Sequence, residues 1–140
     1  MAKDIVQTVV FKNTTPKALY DLYMNSKKHS LATAAPATMS SKAGGTFSAH
    51  NGWITGRNIH LIKDRLILQT WRAQSWAPTE PDSIFMILLE PKGKNVQMTA
   101  VHSNVPNKEE EGISKGWYKH YWEPWKLYIA GKPIAKHPTM

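Results

Sequence analysis

Residues 112–130 of this 140-residue chain hold three tryptophans and three tyrosines, and their spacing limits the fold more than any other feature. At roughly 100° per residue, Trp117, Tyr121, Trp125 and Tyr128 project to one side of a helix, with Tyr118, Trp122 and Ile129 beside them. Lys119, Glu123 and Lys126 project opposite. A helix with this much aromatic surface must lie across a sheet to bury it. Glu109, Glu110 and Glu111 precede it, where negative charge favours the positive end of a helix. Pro124 predicts a kink, and Gly131 a stop.

The rest of the chain supplies the sheet. Residues 5–12 are β-branched and alternate, with Ile5, Val9 and Phe11 on one face, and read as a first strand. Thr15-Pro16 is a helix start, a hydroxyl cap followed by proline, and Leu19, Leu22, Tyr23 and Ser26 keep helical spacing over 16–25. Ser26 is the expected cap of a second short helix running through Leu31 and Ala34. From 38 to 104 the punctuation is that of an antiparallel meander, with turn signals at Gly44-Gly45, Asn51-Gly52, Lys63-Asp64 and residues 92–95. Asn51-Gly52 reads as a tight hairpin turn, and Gly56, inside its strand, as a bulge or sharp bend. Residues 76–82, with Pro78 and Pro81, form a loop before two clean strands at 83–90 and 95–104. On the strand before that loop, Ile67 and Trp71 compete with Leu66 and Leu68 for the core.

The expectation is an α+β fold: a curved antiparallel sheet of about six or seven strands wrapped around a long C-terminal helix, with two short helices after the first strand. That is a helix-grip architecture. One domain spans residues 1–131, and 132–140 form a flexible tail.

Composition removes several function classes. There is no cysteine, which rules out disulfides, thiol catalysis and thiolate zinc sites. No apolar run approaches the roughly 20 residues needed to cross a bilayer, and the first residues lead into a strand rather than a signal-peptide core, so the expected setting is cytoplasmic. The formal charge is +8, yet Lys27-Lys28, Lys92, Lys94, Lys132 and Lys136 are scattered, which fits a solvated basic surface better than a nucleic-acid footprint. His29, His50, His60, His102, His120 and His137 lack close ligand spacing and carboxylate partners, so no metal or other cofactor is expected. Nucleophile elbow, phosphate-cradling loop and paired catalytic carboxylates are all missing, and no catalytic residue is assigned.

One ordered set of residues is familiar. Gly44-Gly45-Thr46-Phe47, Gly52-Trp53-Ile54-Thr55-Gly56, Arg65-Leu66-Ile67 leading to Trp71-Arg72, Ser83, His102 near Val105-Pro106, and Gly116-Trp117-Tyr118 through Tyr121-Trp122 together resemble the activators of heat-shock protein 90 ATPase and their bacterial homologues, over about residues 5–130. That family is placed in the START-like (SRPBCC) superfamily, with the birch-pollen-allergen fold. The resemblance implies a cavity between sheet and C-terminal helix, which in many members takes lipids, hormones or polyketides. Eukaryotic activators stimulate the chaperone with a separate N-terminal domain joined to one like this, so the resemblance implies for this domain alone a weak contact with heat-shock protein 90 rather than full activator function. Many members carry glycine where this chain has Asn104.

The walls of such a cavity would come from Phe47, Trp53, Trp71, Phe85, Trp117, Tyr121 and Trp125, with Ile87, Met98, Ala100 and His102 on the strands. The same rings could instead fill the space as an ordinary core, with Met24, Met39, Met86 and Met98 filling gaps. His102 lies on the inward alternation of Val96, Met98 and Ala100, where it could orient a polar ligand group or hydrogen-bond a core neighbour. Arg72 could meet an acidic ligand or an exposed cross-strand partner. The leading expectation is a non-catalytic binding module for a small hydrophobic ligand, with a co-chaperone or stress-related role. The alternative is a cyclase or dehydratase acting on an aromatic, polyketide-like substrate through His102 and Tyr121.

Overall fold

The computed structural model describes residues 2–133. Strands β1 Ala2–Phe11, β2 Thr46–Ala49, β3 Ile54–Ile62, β4 Leu66–Ala73, β5 Ser83–Lys92 and β6 Asn95–Pro106 pair antiparallel in the order β1-β6-β5-β4-β3-β2. Helices α1 Pro16–Met24 and α2 Ser26–Thr33 follow β1. After β6 a 3₁₀ turn, Asn107–Glu109, leads into α3 Glu110–Trp117, a π-turn Tyr118–Trp122, and α4 Glu123–Ile129. Backbone angles stay helical across both junctions, so residues 110–129 form one rod. The sheet has six strands and grips this rod, with the two short helices where the sequence puts them.

Period-two alternation decides which side chains meet the rod. Ile5 faces His102, which pairs with Phe85, then Gln69, then Asn58; the next inward row is Gln7, Ala100, Ile87 and Ile67. All of these are buried. The face of β4 left open by its sequence is therefore resolved: Ile67, Gln69, Trp71 and Ala73 point inward, and Leu66 and Leu68 are half-buried on the outer face.

Thr15 caps α1, accepting the Ala18 N–H at 3.1 Å. The cap of α2 is Asn25 rather than Ser26. Asn25 keeps an extended backbone between the two helices and accepts the Lys28 N–H at 3.0 Å. Ser26, already helical, uses its hydroxyl to accept the Met39 N–H at 2.8 Å and so ties the following loop to α2.

The irregularity expected at Gly56 falls two to four residues later in the same strand, while Gly56 itself serves a close approach. Pairing of β3 with β4 keeps one register from Thr55–Arg72 to Asn58–Gln69 and shifts once, between Asn58 and His60. A Cβ on Gly56 would overlap the Thr70 carbonyl oxygen and the Phe47 ring. Asn51 and Gly52 both take positive φ as a tight turn requires, but His50 does too, at 52°, so the connection runs four residues between the paired Ala49 and Ile54. Asn104 has φ 62°, a left-handed conformation that asparagine tolerates better than most residues. Its side chain donates to the Asp82 carbonyl at 3.1 Å.

The rod carries the main departure from the projected helix. The kink expected at Pro124 appears as the π-turn just before it. Proline has no N–H and its ring would crowd the carbonyl four residues back, and a turn widened by one residue relieves both. Five residues of α-helix would leave Trp117 and Trp122 about 140° apart. One extra residue in the turn brings them back to roughly 40°. They stack, with ring centroids 5.3 Å apart and planes 12° from parallel. Tyr118, grouped with the apolar face by simple projection, is exposed instead. The rod ends at Gly131 (φ 73°), whose N–H donates to the Tyr128 carbonyl while that of Lys132 reaches Leu127. Most of the expected tail, residues 134–140, lies outside the described residues. Among the described residues, no helix is long and apolar enough to cross a membrane.

Gly56→Ala should destabilise the protein by about 2–3 kcal/mol, because backbone must move to admit the methyl group. Urea denaturation of the variant beside the parent chain measures this, and an unchanged midpoint would show that the close approach does not need glycine.

Candidate functional site

The polar groups under the rod are wired to one another. His102 is fully buried on β6. The Trp117 indole N–H donates to its Nδ1 at 3.0 Å, which leaves Nε2 to carry the proton. That N–H donates to Ser83 Oγ at 2.7 Å, and the serine hydroxyl donates onward to the Trp71 carbonyl, also at 2.7 Å. Each hydrogen has one acceptor. With no counter-charge to offset burial, the imidazole is held down to about 3 from its ordinary 6.5 and stays neutral.

A second histidine is used the same way. His29 Nδ1–H donates to the Tyr23 carbonyl at 2.8 Å, and Nε2 accepts the Tyr121 hydroxyl at 3.0 Å. Burial holds His29 down to about 4 and pushes the Tyr121 phenol up. Tyr23 donates to Gln69, Gln69 to Asn58, and Asn58 to the carbonyls of Ser40 and Lys42, a buried chain that pins the loop before β2. Gln7 joins β1 to the rod, accepting the Trp122 indole N–H at 2.7 Å and donating to the Ser114 carbonyl at 2.9 Å.

Beside this network, between the rod and the ends of β3 and β4, lies a cleft of about 270 Å³. Its walls are Trp53, Ile54, Trp71, Ala73, Ser75 and Trp76 on one side, and Glu109, Gly112, Ile113, Gly116, Trp117, His120 and Tyr121 on the other, with His50 at one end. Ring centroids follow one another at 4.8–6.0 Å from Trp76 through Trp71, Trp117, Tyr121 and His50 to His120, a continuous aromatic wall. Two larger depressions are poorer in rings. One, of about 630 Å³, lies along Thr46, Ser48, Arg57 and Thr70, and the other, of about 430 Å³, between Lys12 and Lys126.

Of the residues singled out by sequence, Trp53, Trp71, Trp117 and Tyr121 line the cleft. The others do not reach it. Phe85 stacks under Trp117 with centroids 4.1 Å apart and planes 7° from parallel. His102 lies behind that pair, 4.6 Å from the Trp71 ring centroid. Ile87, Met98 and Ala100 are core, Phe47 covers Gly56, and Trp125 packs on Phe11 and Tyr23. Arg72 takes the cross-strand partner, pairing at 3.1 Å with Asp82, which sits opposite it one step beyond the Trp71–Ser83 pair, and it also clamps the loop after β4 by donating to the carbonyls of Ala77 and Glu80. Among the wall residues that the sequence reading missed are His50, Trp76, Glu109, Gly112, Gly116 and His120. Only the two glycines, four apart inside a helix, left a signal. Among the described residues no three His, Asp or Glu side chains gather as a metal site.

The sequence profile of the family described as "Activator of Hsp90 ATPase homolog 1-like protein" matches residues 13–127. The human protein "Activator of 90 kDa heat shock protein ATPase homolog 1" is 27% identical over 110 residues, 79% of this chain and 32% of its own length. A homologue of that activator in Dictyostelium discoideum is 30% identical over 109 residues, 76% of this chain and 28% of its own. The chain thus spans about a third of the length of the relatives it matches. Among solved structures, an HSP90 activator from Plasmodium falciparum superposes with a TM-score of 0.81 at 22% identity, covering 93% of this chain and 97% of that one. At that identity the likeness shows the fold.

The buried histidines predict a pH dependence. Their protonation is disfavoured in the folded protein, to about 3 and 4, against 6.5 for an exposed imidazole. Below pH ~6.5 the unfolded chain therefore binds more protons, and stability present above that pH is lost as pH falls. Between pH 6.5 and 5, above the carboxylate range, the slope should approach about 1.4 kcal/mol per unit for each histidine. Denaturation curves across this window test it: half the slope would mean that one imidazole charges in place, and a flat profile that both do.

Proposed function

The chain belongs to the family of proteins like Activator of Hsp90 ATPase homolog 1, and from that premise we propose that it works as a non-catalytic binding module whose aromatic cleft takes a small, largely apolar ligand. The observation that carries this reading is the pair Gly112 and Gly116. Both face the cleft from inside α3. A Cβ added at Gly112 would meet nothing within 4 Å, and one at Gly116 only an ordinary contact with His120. Neither glycine is demanded by packing or by positive φ, and each costs a helix about 0.5–1 kcal/mol relative to alanine. What their missing side chains provide is open space between five indole and phenol rings. A core designed only for stability would fill it.

The alternative chemistry, a cyclase or dehydratase acting through His102 and Tyr121, fits less well. Both ring nitrogens of His102 are engaged, its charge is suppressed, and Phe85 and Trp117 stand between it and the cleft. The Tyr121 hydroxyl is spent on His29. A second reading, favoured by the names of the relatives, is contact with heat-shock protein 90 through this domain in a cytoplasmic, stress-related setting. The basic surface would suit an acidic partner.

An amide-resolved NMR titration with lipids, sterols and flat aromatics tests the cleft. Shifts should gather on the indoles of Trp53, Trp76 and Trp117. Gly116→Leu should abolish them, while Gly112→Ala should raise stability by about 0.5–1 kcal/mol and weaken binding. Shifts that survive Gly116→Leu would place the ligand elsewhere. Titration with heat-shock protein 90 reads the second possibility, with surface amides rather than indoles responding.

A further inference from the structure

The cleft is charged in the direction opposite to the rest of the molecule. The chain carries 18 Lys and Arg against 10 Asp and Glu, yet no lysine or arginine lines the cleft, and its one acidic residue is Glu109. Glu109 is half-buried and enters no ion pair among the described residues. The positive end of α3 lies nearby, equivalent to about half a charge. Glu109, Glu110 and Glu111 together more than offset it, and Lys115 is occupied by Glu111 at 2.9 Å. The Arg72 guanidinium lies 6.0 Å from the Trp76 ring centroid and is tied to Asp82 and to two loop carbonyls. Trp76 already serves one cation in this way.

Aromatic faces carry negative quadrupole charge, and several of them around a desolvated space form the arrangement that best holds an organic cation. Here Trp53, Trp71, Trp76, Trp117 and Tyr121 supply the rings, and Glu109 supplies a full negative charge on the opposing wall. A neutral ligand would need the rings but not the carboxylate. An anionic one would be opposed by both. The geometry points to a small organic cation, of the quaternary or methylated ammonium class, as the ligand of this cleft, its charged head among the indoles and balanced by Glu109. This rests on the reading of the cleft as a ligand site and adds the ligand's charge. The other titratable groups facing the space are the imidazoles of His50 and His120 and the phenol of Tyr121.

Three ligands of one shape and different charge separate the possibilities: choline, its neutral carbon isostere dimethylbutanol, and the anion dimethylbutanoate. Each is titrated into the labelled protein while the tryptophan indole N–H signals are followed. Choline should bind about tenfold more tightly than the alcohol, and the anion more weakly than either. Glu109→Gln should weaken choline about fivefold and leave binding of the alcohol unchanged, which a purely structural role for Glu109 would not do. Equal binding of choline and alcohol, or preference for the anion, would overturn the assignment of charge while leaving an apolar ligand site standing. If none of the three binds although the apolar panel shifts the same indoles, the cation assignment fails alone. Silence to both panels would remove the site beneath it as well.

Discussion

Phe85, Trp117 and Trp122 form a stack that joins the middle of the sheet to the middle of the rod, with planes within 7° and 12° of parallel at successive steps. The stack exists because the rod is not a regular helix. Without the π-turn, Trp122 would turn away from Trp117 and leave Gln7 without its indole donor. The same turn positions Tyr121 to reach His29 and so ties the rod to α2. Loss of this one irregularity would misplace two large rings and two buried hydrogen bonds together.

Around the stack the protein uses polar side chains where apolar ones would be cheaper to bury. Gln69, Asn58, His102 and Ser83 are all fully buried, and each is satisfied within a chain of donors and acceptors. Such groups are costly when unpaired, so the chains discriminate against neighbouring registers and alternative seatings of the rod. A one-residue slip of β4 would place Leu68 and Thr70 opposite Tyr23 and Asn58 instead of Gln69. The histidines gain their place in the core by staying neutral.

The cleft adjoins this core and shares walls with it. Trp117 and Tyr121 each turn one surface to the packed interior and another to the cleft, so the rings that stabilise the fold also shape the site. Sequence alone could not separate the two roles. Phe85 and Trp71 have the same residue class and the same inward alternation, yet one is sealed under Trp117 and the other borders open space. Trp76 and Glu109 come from a loop and a 3₁₀ turn, where periodicity carries no information about direction.

Local patterns determined the order and type of the strands and main helices: β-branched alternation for the strands, Thr15-Pro16 for the first helix, and the aromatic stripe for the rod. These patterns act over a few residues, so they can be read along the chain. The helix irregularity, the partners of His102 and His29, and the division of the aromatics between core and cleft were decided only in three dimensions. Each depends on contacts between residues far apart in sequence, 15 apart for His102 and Trp117, 92 for His29 and Tyr121, and 115 for Gln7 and Trp122. Nothing in the local spacing encodes which ring stacks on which, because that choice is made by the bent sheet closing on the rod.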